Sequence, residues 1–188
     1  MTDLLTHRRW TVDDLATLPD EEGVRYEIID GELYMARSPH FEHDAVAGNI
    51  HAELRSWSLA SSLGRSSPGA GIVIDPLNTV EPDAVWISWA RYYAGLDEAG
   101  HLTVAPELVV EVLSPGHKNE QRDRELKLHA YARWDVQEYW IVDWRVQTVE
   151  VYRREENMLR PIATLHADDE LTSPLLPRFA CLVARLFI

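Results

Sequence analysis

A single cysteine, Cys181, stands in this chain of 188 residues. No internal disulfide can form, and a zinc site built from several cysteines is excluded. Basic residues are scarce: 18 Lys and Arg face 31 Asp and Glu, a formal charge of -13. That balance opposes sequence-independent nucleic-acid binding through the whole surface, so any such contact must be local. No apolar run approaches the roughly 18 residues of a membrane span, and the N-terminal MTDLLTHRRW has no apolar stretch ending in a small-residue cleavage site. The expectation is a soluble cytoplasmic protein with a buried thiol. There is no GxSxG, no GKS or GKT, no internal repeat and no low-complexity tract. Gly69-Ala70-Gly71 precedes a strand, so it is neither a dinucleotide nor a phosphate-cradling loop.

A hydrophobic content of 46% with 26% charged residues suits one compact domain over residues 1–188. Charge is unevenly spread. Between His117 and Trp134 lie Lys118, Arg122, Arg124, Lys127 and Arg133 against Glu120, Asp123 and Glu125, a local +2 in a chain otherwise at -15. This is either a basic island or an ordinary solvated helix face.

RYEIIDGELYMAR, residues 25–37, predicts a β-hairpin, because Asp-Gly accommodates positive φ at both central turn positions. After Ser38-Pro39, the residues Val46, Ile50, Leu54 and Trp57 recur at helical spacing and predict a helix over about 41–60, ended by Gly64 and the 66–71 stretch. Strands are expected at 72–75, 84–89 and 108–113, with a short helix and loop between the last two. A second helix is expected over 119–134, then strands at 138–143 and 148–154 and a short terminal strand or helix at 180–188. This order predicts an α/β sandwich, a mixed sheet between helices, with the six-element core αβββαβ over about 41–143.

Two acids stand out by position. Asp83 follows a proline at the start of a strand, and Glu111 sits inside the apolar strand LVVEVL, where an isolated carboxylate is costly to bury. A divalent cation would offset both costs; hard oxygen ligands suit magnesium or manganese, and the carbonyl of Val112 is a further candidate ligand. The competing readings are a turn residue for Asp83 and, for Glu111, an edge-strand carboxylate or one paired with an arginine. His40 and His43 are three apart, a spacing too common to indicate zinc by itself. Tyr131, Trp134, Tyr139 and Trp140 are candidates for base stacking, with core packing as the alternative.

The segments YEIIDGELY, EPDAVWIS, PELVVEVLSP, ELKLHAY and QEYWIVD, in this order over residues 10–160, resemble the Uma-two family of endonucleases in the PD-(D/E)XK restriction-endonuclease-like superfamily. The resemblance implies metal ligation by Asp83 and Glu111. The superfamily's usual lysine position, two residues after the strand acid, holds Leu113 here. The family resembled moves that lysine to the following helix, which implies Lys127, whose ordinary alternative is a helix-surface pair with Asp123. It further implies Glu27 as a third acid near the metal, with an ordinary exposed hairpin residue as the alternative, and His43 as a residue that contacts a phosphate or orients an acid, with a helix-start histidine without catalytic duty as the alternative. The basic island adds Lys118, Arg122 and Arg124 as substrate-binding candidates. The expected activity is metal-dependent hydrolysis of DNA phosphodiesters, with magnesium or manganese as cofactor and a homodimer as a plausible assembly. The alternatives are a catalytically silent nuclease-fold domain serving assembly or partner binding, which Leu113 and the acidic balance favour, and a hydrolase acting on smaller phosphoesters.

Overall fold

The computed structural model describes residues 8–37 and 40–188. The Ser38-Pro39 break, and the first seven residues of the N-terminal stretch, lie outside them. A short helix α1 (Val12–Leu15) precedes strands β1 (Val24–Ile29) and β2 (Glu32–Arg37). These form the expected hairpin, with Asp30 at φ 54° and Gly31 at φ 81°, positive at both positions as a tight Asp-Gly turn requires.

Helix α2 (Phe41–Ser61) follows, then β3 (Gly64–Pro68), β4 (Ile72–Asp75), β5 (Asn78–Val80), β6 (Ala84–Ser88), the short helix α3 (Trp89–Gly95) and β7 (Leu108–Val112). A continuous helix over residues 117–133 comes next, formed by α4 (His117–Gln121), a π-helical stretch (Arg122–Lys127) and α5 (Leu128–Arg133). Strands β8 (Glu138–Asp143), β9 (Thr148–Glu155), β10 (Met158–Leu165), β11 (Glu170–Thr172) and β12 (Ala180–Leu182) and a terminal 3₁₀ turn (Val183–Phe187) complete the chain.

Six strands form a mixed sheet in the order β10-β9-β8-β7-β6-β3, parallel only between β7 and β8, the pair joined by the helix over 117–133. The hairpin joins β5 and β4 in a separate four-stranded sheet ordered β2-β1-β5-β4. The central strands β7 and β8 are buried on both faces, which is why they read as nearly unbroken apolar runs. One face packs Val46, Ile50 and Leu54 of α2 against Trp86, Val110 and Trp140. The other packs Ala130 and Tyr131 against Val109, Leu113 and Ile141. Glu111 alternates with Val110 and Val112, so it points into the second layer, beneath the helix over 117–133.

The αβββαβ core is present with one correction. Its first strand is β3, a stretch read from sequence only as the end of the helix. Residues 72–75, expected in that place, form β4 and pair with β5 beside the hairpin. The sequence GRSSP has too little apolar alternation to announce a strand, but it lies on the edge of the sheet and pairs only with β6. Gly64 permits this contact: a Cβ there would sit 2.2 Å from the carbonyl oxygen of Ile87. In the tail, Pro161 stands on the outer strand β10 beside an irregularity in pairing, where a missing N–H is tolerated.

Candidate active site

Five candidate residues from five parts of the chain meet at one pocket. Asp83 sits immediately before β6, and its Oδ2 accepts a hydrogen bond from the Val112 N–H at 2.8 Å, so the residue that leads into one strand is fixed to the last of the next. His43, in the first turn of α2, places Nε2 3.4 Å from the same oxygen. Glu111 projects from β7, and its Oε1 accepts from Lys127 Nζ at 2.8 Å and from the Tyr131 hydroxyl at 2.6 Å. Lys127 also donates to Glu27 Oε1 at 2.9 Å, and Glu27 is held from behind by the main-chain N–H of Glu81 at 3.0 Å. The pairing of Lys127 with Asp123 exists as well, but at 3.9 Å it is the loosest of the three.

The local backbone explains how the lysine arrives. The π-helical stretch widens the helix across Arg122–Lys127, and the Asp123 carbonyl accepts the Tyr139 hydroxyl from β8 at 3.0 Å. Such a widened turn commonly marks a functional position. Lys127 and Tyr131, four apart, lie on one face of the helix and reach the same carboxylate oxygen.

Burial makes this cluster electrostatically tense. Glu27, Asp83, Glu111 and Asp123 are opposed at close range by Lys127 and Arg122, which leaves an excess of negative charge. Burial, reinforced by Asp83, Asp123 and Glu27 and only partly offset by Lys127, pushes the Glu111 carboxyl up to about 8. Asp123 is raised for the same first reason. Burial acts to lower Lys127, but the surrounding carboxylates outweigh it and hold the ammonium charged. Burial would also lower His43, yet the Asp83 carboxylate raises it above the ordinary histidine value. Asp83 itself is lowered, since the His43 and Val112 hydrogen bonds outweigh its own burial.

The arrangement fits a divalent cation. Among the described residues, Asp83 Oδ1, Glu111 Oε2 and Glu27 Oε2 accept no hydrogen bond, and Glu27, Asp83, Glu111 and Val112 line the same pocket. Among the described residues no three His, Cys, Asp or Glu side chains form a dedicated metal cluster. Two carboxylates, a carbonyl and several waters are what magnesium usually takes, and its charge would offset the local excess. The cavity, about 50 Å³, has room for an ion and a few waters, so a larger substrate must lie across its mouth.

The basic island divides. Arg122 lines the pocket, whereas Arg124 is turned away into an ion pair with Glu150. Lys118 lines a separate shallow groove with Tyr34 and His129. Arg25 and Arg37 of the hairpin, passed over in sequence, line the pocket instead. Arg25 stands two residues from Glu27 and so shares its strand face, a signal that was available. His40 stacks on Trp144 with ring centroids 4.9 Å apart and does not join His43. Tyr131, Tyr139 and Trp140 are fully buried, so they belong to the core and cannot stack on bases; Trp134 is half-buried against Tyr131.

Residues 12–184 match the profile of the Uma2 family, described as putative restriction endonuclease. No curated protein matches the sequence. A crystal structure of a putative nuclease of the DUF820 group from Anabaena variabilis superposes with a TM-score of 0.74 at 22% identity, covering 94% of this chain and 97% of that one. It shares the fold. The type IIG restriction endonuclease BpuSI aligns with a TM-score of 0.40 at 13% identity, over 75% of this chain and 15% of that one.

Proposed function

The chain belongs to the Uma2 family, and from that premise we propose that it is a magnesium- or manganese-dependent endonuclease that hydrolyses DNA phosphodiester bonds. The observation that carries the reading is the meeting of Glu27, Asp83 and Glu111, each with a free oxygen, around the buried Lys127 ammonium.

Asp83 and Glu111, with the Val112 carbonyl, would hold the cation, whose contribution when bound is Lewis acidity toward the phosphate and a more acidic water. Lys127 and Tyr131 fix the rotamer of Glu111 by clamping one oxygen and leaving the other toward the pocket. His43, whose pKa the Asp83 carboxylate raises against the effect of burial, sits beside Asp83 and steadies that carboxylate. Arg25 and Arg37 on the pocket wall suit the flanking phosphates of a strand lying across the mouth. The silent-domain reading drew on Leu113, which is indeed buried in the core. An ammonium nevertheless reaches Glu111 from the helix, and electrostatic assistance depends on where the charge lies, not on which element carries it.

Nicking of supercoiled plasmid DNA in manganese or magnesium tests the proposal, with chelated protein as control. Asp83→Asn and Glu111→Gln are expected to lose roughly 100-fold or more in rate while keeping the wild-type circular dichroism spectrum. Full activity in folded Asp83→Asn overturns the assignment.

A further inference from the structure

At the opposite end of β6 from Asp83, roughly 17 Å away along a five-residue strand, a groove of about 320 Å³ opens between the end of α2, β3 and α3. Arg55 and Arg65 line it together with Ser66 and Trp89. In a chain of charge -13, residues 54–74 contain no Asp or Glu. Arg65 bonds to the Tyr92 hydroxyl at 3.1 Å, and among the described residues neither arginine has a carboxylate partner. Most other arginines of the chain are bound to acids, as Arg133 is to Asp30 and Arg145 to Asp143. The Trp89 ring stacks on Tyr93 at 5.7 Å, and Tyr93 is 76% exposed. Ser66 is 93% buried, and its Oγ has no hydrogen-bond partner although the residue lines the groove.

Two guanidiniums without carboxylate partners, an accessible aromatic stack and an unused buried hydroxyl match a phosphate joined to a planar base. We propose that this groove binds a nucleotide unit, its phosphate between Arg55 and Arg65, its base on Trp89, and a polar atom of the ligand on Ser66 Oγ. A second copy of the chain fits less well. The edge strand β3 is short, carries Arg65 outward and ends in Pro68, features that discourage strand pairing. A two-fold contact there would also set the unpaired arginines against their own copies.

The test is fluorescence anisotropy with a labelled oligothymidylate of about twelve nucleotides, in chelator so that nothing is cut. The double variant Arg55→Ala/Arg65→Ala is expected to bind roughly 10-fold more weakly, with a log–log salt dependence flatter by about 0.7, the value of one neutralised phosphate on a single strand. Trp89→Leu is expected to weaken binding comparably, and Ser66→Ala to weaken it without lowering the melting temperature, since that hydroxyl has no partner to lose. Competition by thymidine monophosphate equal to that of the oligonucleotide identifies a free nucleotide as the ligand; competition by the strand alone identifies nucleic acid; either supports the site. Unchanged affinity and salt slope in the folded variants overturn it, as does a shift in sedimentation from dimer to monomer with oligonucleotide binding intact. The assay reads no cleavage and contains no metal, so it stands apart from the chemistry assigned to Asp83.

Discussion

Glu111 is the residue on which the account turns, because its strand environment makes its charge expensive. Burial holds its folded pKa at about 8, above the ordinary 4.5 of the unfolded chain. Between those values the folded protein binds a proton that the unfolded protein releases, so this residue's contribution to stability declines as pH rises through the window. Glu111→Gln removes that proton exchange. In metal-free buffer, urea midpoints measured from pH 5 to pH 9 are therefore expected to show the wild type losing ground relative to the variant as pH rises. Parallel curves for the two proteins would mean that Glu111 is ionised throughout and that Lys127 fully compensates it. The sequence showed the cost of this carboxylate without its remedy. The 2.6 Å bond from Tyr131 was hidden, since a tyrosine four residues after a helical lysine looks like any aromatic core residue.

Elements with strong local chemistry were legible. The Asp30-Gly31 turn has only one economical geometry, and the 4-4-3 spacing of Val46, Ile50, Leu54 and Trp57 defines one helix face. Strands fixed by their neighbours were not legible. β3 owes its existence to β6 and α2, and its own residues, Gly, Arg, two Ser and Pro, argue for a loop. The fit at Gly64 makes this testable. Gly64→Ala drives a methyl group against the Ile87 carbonyl and is expected to destabilise the fold by about 1–3 kcal/mol, the usual cost of overpacking. Urea unfolding followed by circular dichroism measures it; a loss below about 0.5 kcal/mol, the range of ordinary surface changes, would contradict the close packing of β3. The π-helical stretch was equally invisible, because its widened turn rests on the Tyr139 hydroxyl from another element. Without that turn in view, Lys127 remained as readily a surface partner of Asp123 as a member of the site.

For the whole molecule the question is how a chain of charge -13 handles a polyanion. Most of its arginines are committed to acids; among the described residues Arg37 lines the carboxylate pocket, and Arg55 and Arg65 the distal groove, without an acid partner. On the proposed function, nucleic-acid contact would fall at these few arginines on an acidic body, which favours recognition at defined points over coating of the surface. Among the described residues no helix is long and apolar enough to cross a membrane. An acid-rich pocket repels phosphate, so on the proposed function metal binding would precede engagement of a strand. The most direct measurement is titration calorimetry of manganese into the wild type and into Asp83→Ala, both verified as folded by circular dichroism. The account predicts binding by the wild type that is lost in the variant. Binding that survives in Asp83→Ala, or a folded wild type that binds no manganese at millimolar concentration, would contradict it.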